Sequence, residues 1–234
     1  MTFYELNETL TESTTSFDLS NNDFYIVNSE MFKKFHSLNQ LFLSYNKIND
    51  LEIDSFKQLF RLKTLKIDNN KLISLNKTTF SGVQNLTESL YLNNNLISYI
   101  DSFTFNNLNM VKLIDLSYNQ LELIYLNTFN GLKSLKTFKL NNNLISQIAD
   151  YSFQTLNQLI ELDLSNNLLS VINKNTFVGL NSVEKISLKA NQIISFEVSS
   201  LNSLTNLQEI NVDRGTIPST YISMPCSSSS ILFY

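Results

Sequence analysis

The sequence is short of the side chains from which most catalytic and metal sites are built. Its 234 residues include one cysteine, one histidine and no tryptophan. A lone thiol, Cys226, excludes an intrachain disulfide. In its segment SMPCSSSSILFY it has no basic residue or histidine beside it to lower its pKa, so a plain free thiol is expected. His36, between Phe35 and Ser37, reads as a surface residue. Beyond these two single residues, no Ser–His–Asp or Cys–His pairing can be assembled. No Gly-rich phosphate loop, zinc-ligand spacing or EF-hand pattern is present, and the acids are spread without a singled-out pair. The expectation is a non-enzyme with no cofactor and no metal.

Charge is scarce as well. Charged residues make up 16% of the chain, below the usual quarter, and the net charge is −4. That balance leaves no electrostatic footprint for nucleic acid or anionic lipid. No apolar run approaches the roughly 18 residues of a membrane span, so no insertion by this chain is expected. The start, MTFYELNETLTEST, lacks a basic beginning and an apolar stretch, so it does not read as a signal peptide. Only 4 glycines and 2 prolines are available for turns. Asparagine fills 33 positions and is, with aspartate, the next best turn former.

Those asparagines are periodic. They recur at Asn22, Asn46, Asn70, Asn95, Asn119, Asn143, Asn167 and Asn191, at spacings of 24 with one of 25, and Gly215 stands at the next place. Five residues before each anchor come Phe17, Leu41, Leu65, Leu90, Ile114, Phe138, Leu162, Ile186 and Ile210. Apolar residues also hold the offsets three before and two after, and ten after lie Phe32, Phe56, Phe80, Phe105, Phe129, Phe153 and Phe177. The consensus is LxxLxLxxNxLxxLxxxxFxxLxx. Alternation over L-x-L predicts a short strand with its leucines inward. The chain must then turn while staying buried, which leaves backbone groups in need of partners. An Asn amide offers two donors and an acceptor. It could bridge its own turn and the neighbouring unit, giving a structural amide ladder. Aligned phenylalanines would form a spine on the far side of the core.

This pattern resembles the leucine-rich repeat family over residues 14–217. The resemblance implies an α/β solenoid, a horseshoe of nine repeats with a parallel β-sheet on the concave face. Segments such as NKINDLEIDSFKQLFR lack a clean helical period, so the convex side is expected to be irregular or short-helical. Nine strands about 4.8 Å apart give a sheet on the order of 40 Å long. Residues 1–13 are expected as an N-terminal flank or partial cap, and 218–234 as a C-terminal flank or cap over an otherwise exposed strand edge.

Function is then expected on the concave surface, through strand residues four, two and one before each anchor. Aromatics are concentrated in the first five units at Phe42, Tyr45, Tyr91 and Tyr118, with Lys66 between Phe42 and Tyr91. Asp115, Lys139 and Asp163 alternate in sign on adjacent strands. Aromatics with orienting charges suit a protein-binding patch; the same residues could instead cover the sheet and pair across it. The expected function is a recognition module for a protein ligand, with a glycan as the second possibility. The alternatives are an architectural spacer, or a fragment of a larger receptor or signalling protein. The Phe-bearing 24-residue unit is similar to those of Toll-like receptor ectodomains and variable lymphocyte receptors, which implies a cell-surface or extracellular location. The missing leader and cap cysteines leave an intracellular location open. Sequons at Asn7, Asn76 and Asn85 are fewer than the roughly six or seven that chance would give, so they carry no argument for secretion.

Overall fold

The computed structural model describes residues 11–214 and 216. Nine three-residue segments are strands: Ser16–Asp18, Gln40–Phe42, Thr64–Lys66, Ser89–Tyr91, Leu113–Asp115, Thr137–Lys139, Glu161–Asp163, Lys185–Ser187 and Glu209–Asn211. Each is parallel to the next, and they form one nine-stranded sheet in sequence order. Because the repeat length is nearly constant, equal offsets stand side by side, as in Phe17 against Leu41 and Leu41 against Leu65. The one longer spacing is absorbed before the fourth strand, whose Ser89 pairs with Thr64 across 25 residues. Backbone bonding runs on past each strand: Leu19 N donates to Phe42 O at 2.8 Å, and Asn21 N to Ser44 O at 3.0 Å.

The sheet is the concave side of a horseshoe-shaped solenoid. On the other side the expected irregular or short-helical segments are mostly turns, with a single 3-10 helix, Val198–Leu201, among the described residues. What periodicity did not show is a second set of strands two residues long. Ile26–Val27 pairs with Asp50–Leu51, Ser74–Leu75 with Tyr99–Ile100, Leu123–Ile124 with Gln147–Ile148, and Val171–Ile172 with Ser195–Phe196. Two residues are too few to alternate, so no sequence pattern could mark them. Their second residue points inward, and Val27, Leu51, Leu75, Ile100, Ile124 and Ile172 are buried.

A single hydrophobic core runs the length of the stack. No unit can bury its apolar face alone, so the repeats are stable only against one another. The phenylalanines ten after each anchor are buried. Several touch in sequence: Phe32 and Phe56 stack at 6.3 Å, Phe80 and Phe105 at 5.6 Å, and Phe129 and Phe153 at 6.0 Å.

The anchor amides link each unit to the one before it. Asn119 Nδ2 donates to Leu92 O and to its own Leu116 O, at 3.0 and 3.1 Å, while its Oδ1 accepts from Ile97 N at 3.0 Å. Asn46, Asn70, Asn95, Asn143, Asn167 and Asn191 make the same three kinds of bond. Asn22 differs: it is exposed, and its amide donates only within its own turn, to Leu19 O and Ser20 O. Gly215 and the proposed cap at 218–234 lie outside the described residues.

The residue before each anchor has a special backbone. Asn21, Tyr45, Asn69, Asn94, Tyr118, Asn142, Asn166 and Ala190 all have φ between 53 and 57°. The chain leaves the strand through a left-handed turn, which asparagine tolerates better than most residues. These positions were expected to project from the strand onto the concave face. Instead they form the bend after it, which sets Tyr45 and Tyr118 at its margin.

Candidate functional site

The outward strand positions are those six and four before each anchor. The four-before residues stand in register as Asp18, Phe42, Lys66, Tyr91, Asp115, Lys139, Asp163, Ser187 and Asn211. The six-before column, from Ser16 and Gln40 to Lys185 and Glu209, shares that face. It was not among the sequence-derived candidates, although counting back two residues, the period of a strand, would have found it. Lys185 and Glu209 pair within it at 3.6 Å.

Three of the expected residues meet at one point. Lys66 Nζ lies 5.3 Å from the ring centroid of Phe42 and 5.0 Å from that of Tyr91. An ammonium held between two rings is favoured by their negative faces and immobilised by both. Phe42, expected to be exposed, is half-buried, with the Lys66 ammonium over its ring. Tyr45 is 59% exposed and shares with Phe42 and Lys66 a depression of about 350 Å³, lined also by Asp18, Ser20, Asn21 and Ser44.

The other candidates are more distant, and the acids are partly committed. Asp115 is 7% exposed; its Oδ1 accepts from Ser117 N at 3.0 Å and from Ser117 Oγ at 2.5 Å. Its Oδ2 lies 3.7 Å from Lys139 Nζ. Asp163 holds Ser165 N and Oγ in the same way, at 2.9 and 2.6 Å, and Asp18 holds Ser20 N at 2.9 Å. The recurring Asp-Leu-Ser is thus a local device that pins the end of the strand, legible in the sequence at 18–20, 115–117 and 163–165. Tyr118 is 55% exposed at its turn, in the fifth unit, whereas Tyr45 lies in the second. The geometry therefore gives an aromatic–cation cluster at Phe42, Lys66, Tyr91 and Tyr45, followed by a charged stretch from Asp115 to Asp163.

Among the described residues no group of three His, Cys, Asp or Glu could hold a metal ion, and His36 is half-buried with its ring stacked 5.8 Å from Phe60. No helix among the described residues is long and apolar enough to cross a membrane.

Comparison with known proteins gives a family and several likenesses of fold. The leucine rich repeat family model matches residues 12–72, 87–145 and 133–193. No curated protein matches the sequence. Among solved structures the chain is similar to TLR13, solved as a TLR13–ssRNA13 complex, with 26% identity and a TM-score of 0.82 over 86% of this chain. It is similar to a Leptospira interrogans LRR protein, with 27% identity and a TM-score of 0.73 over 83% of this chain. It shares the fold of the Drosophila Toll–Spatzle complex structure at 24% identity and a TM-score of 0.72 over 85% of its length. The chain spans 29%, 47% and 27% of those three proteins respectively.

Proposed function

The chain belongs to the leucine-rich repeat family, and on that premise we propose that it is a non-enzymatic recognition module that binds a protein ligand on its concave face. Its fold is typical of protein-interaction modules. The observation that carries the finer reading is the cluster of Phe42, Lys66 and Tyr91, where two rings and a cation face outward from a largely polar sheet. Aromatic anchors with an oriented charge are the pattern of binding hot spots. Tyr45 extends the cluster, and Asp115, Lys139, Asp163 and Tyr118 make its more distant, orienting part. The repeats are taken to run over 14–217, with 1–13 and 218–234 as flanks. The likeness to TLR13 and Toll supports a place at the cell surface or outside the cell.

A protein is favoured over nucleic acid by the charges on this face. Asp18, Asp115, Glu161, Asp163 and Glu209 stand against Lys66, Lys139 and Lys185. A phosphate backbone is bound by a run of cations, which this balance does not offer. The TLR13 structure holds ssRNA, so RNA is the competitor to test.

The test is a pull-down with the chain as bait and Phe42→Ala combined with Tyr91→Ala as the control. The expected result is a partner retained by the unaltered chain and lost by the double variant, with a melting midpoint within a few degrees of the original. A partner that binds the double variant with unchanged affinity would place the patch elsewhere. Steeply salt-dependent binding of a single-stranded RNA oligonucleotide would overturn the protein assignment.

A further inference from the structure

Two places in this fold show what the chain does with aromatic rings and an ammonium group. On the concave sheet, Lys66 lies between Phe42 and Tyr91. At the first units, Lys47 Nζ lies 5.7 Å from the Tyr25 ring centroid and 2.7 Å from Asp23 Oδ1. In both places the cation is the chain's own.

Another exposed ring pair has no such cation. Tyr99 and Tyr125 meet edge to face, with centroids 6.1 Å apart and planes at 66°. They border a depression of about 240 Å³ on the flank of the two-residue strands, lined also by Ser98, Glu122 and Leu123. Both rings are about half exposed, at 48% and 45%. The negative charge of Asp101 raises the pKa of the Tyr99 phenol above its ordinary value. Among the described residues neither Asp101 nor Glu122 forms an ion pair, and no lysine or arginine lies over either ring. A ring and a carboxylate flank Lys47; here two rings and a carboxylate stand without a lysine.

We propose that this depression receives the cationic end of an arginine or lysine side chain from a protein partner. Ring faces attract a cation and repel an anion. Asp101 and Glu122 add to the first effect and oppose any carboxylate or phosphate. A net charge of −4 on the chain also favours the approach of a basic partner over distance. The site lies on the flank, away from Phe42 and Tyr91, so its test is independent of the concave-face assignment.

The probe is the capped tripeptide Gly-Arg-Gly, with the citrulline analogue as its uncharged match, followed by NMR of the tyrosine ring signals. The arginine peptide is expected to shift Tyr99 and Tyr125 saturably, and the citrulline peptide to leave them in place. Tyr125→Phe keeps a ring face and should keep binding, whereas Tyr125→Leu should weaken it roughly two- to fivefold. Glu122→Gln, an exposed change that touches no core residue, should also weaken binding and flatten its salt dependence. Equal shifts with both peptides, no shift with either, or unchanged affinity in Tyr125→Leu and Glu122→Gln would overturn the proposal.

Discussion

Replacing Asn119 with alanine tests how the units are joined, and the hydrogen bonds set the size of the effect. Four backbone groups lose a partner, but not equally; Ser117 O, 3.3 Å from Asn119 Nδ2, shares one of its two protons and keeps Asn94 N at 3.1 Å. Leu92 O keeps the amide of Asn95 at 3.0 Å, and Leu116 O keeps that of Asn143 at 3.0 Å. Each carbonyl therefore drops from two amide donors to one. Ile97 N donates to Asn119 Oδ1 at 3.0 Å and is left buried without that acceptor. An unsatisfied buried N–H costs about 1–3 kcal/mol, and each lost bond that leaves its partner otherwise satisfied about 0.5–1.5. The sum is about 4 kcal/mol, within a range of about 2–6. With a urea dependence of about 2 kcal/mol per molar, the unfolding midpoint should fall by about 1–3 M. Asn22→Ala is the matched control. Its amide is exposed, and Leu19 O retains Asn46 at 2.9 Å, so its cost should stay below about 1 kcal/mol. Urea unfolding of both variants, with similar slopes, makes the comparison. Equal midpoints for Asn119→Ala and Asn22→Ala would refute the reasoning, because position in the stack would then not matter.

Further outcomes follow from the backbone. Gly131 has φ +98°, and a Cβ there would lie 2.5 Å from Asn106 Cα and Phe105 O of the preceding unit. Gly131→Ala should cost at least about 2 kcal/mol and lower the melting temperature; an unchanged melt would mean that the units are not packed this closely. Ala190 occupies the left-handed turn at φ 56°, where five other units place asparagine. Ala190→Asn should stabilise the chain by up to about 1 kcal/mol, read as a higher melting temperature, and a fall would contradict the turn assignment.

The stack was legible because its signal is long. A column such as Leu41, Leu65 and Leu90 repeats at a fixed offset through every unit, and the paired strands follow from it. What escaped sequence reading is local. Two-residue pairs such as Tyr99–Ile100 with Ser74–Leu75 are too short to carry a period. The turn before each anchor had a signal in its frequent asparagine, but Tyr45, Tyr118 and Ala190 occupy the same conformation and mask it. The whole column was therefore assigned to the sheet face rather than to its margin. At the candidate site, adjacency was readable: equal offsets put Phe42, Lys66 and Tyr91 next to one another. Exposure was not, since it depends on rotamers. The lysine covers the rings it was expected to accompany, and Asp115 bends back to its own Ser117.

The central physical claim is that one amide column ties successive coils together in a shared interior and leaves recognition to the outward side chains. Hydrogen exchange of the asparagine side-chain amides, followed by NMR, reads that column directly. The Nδ2 protons of Asn46, Asn70, Asn95, Asn119, Asn143 and Asn167, all buried, should be strongly protected, while those of Asn22 should exchange at the rate of a free amide. Exchange of all seven side chains at that free rate would contradict the account.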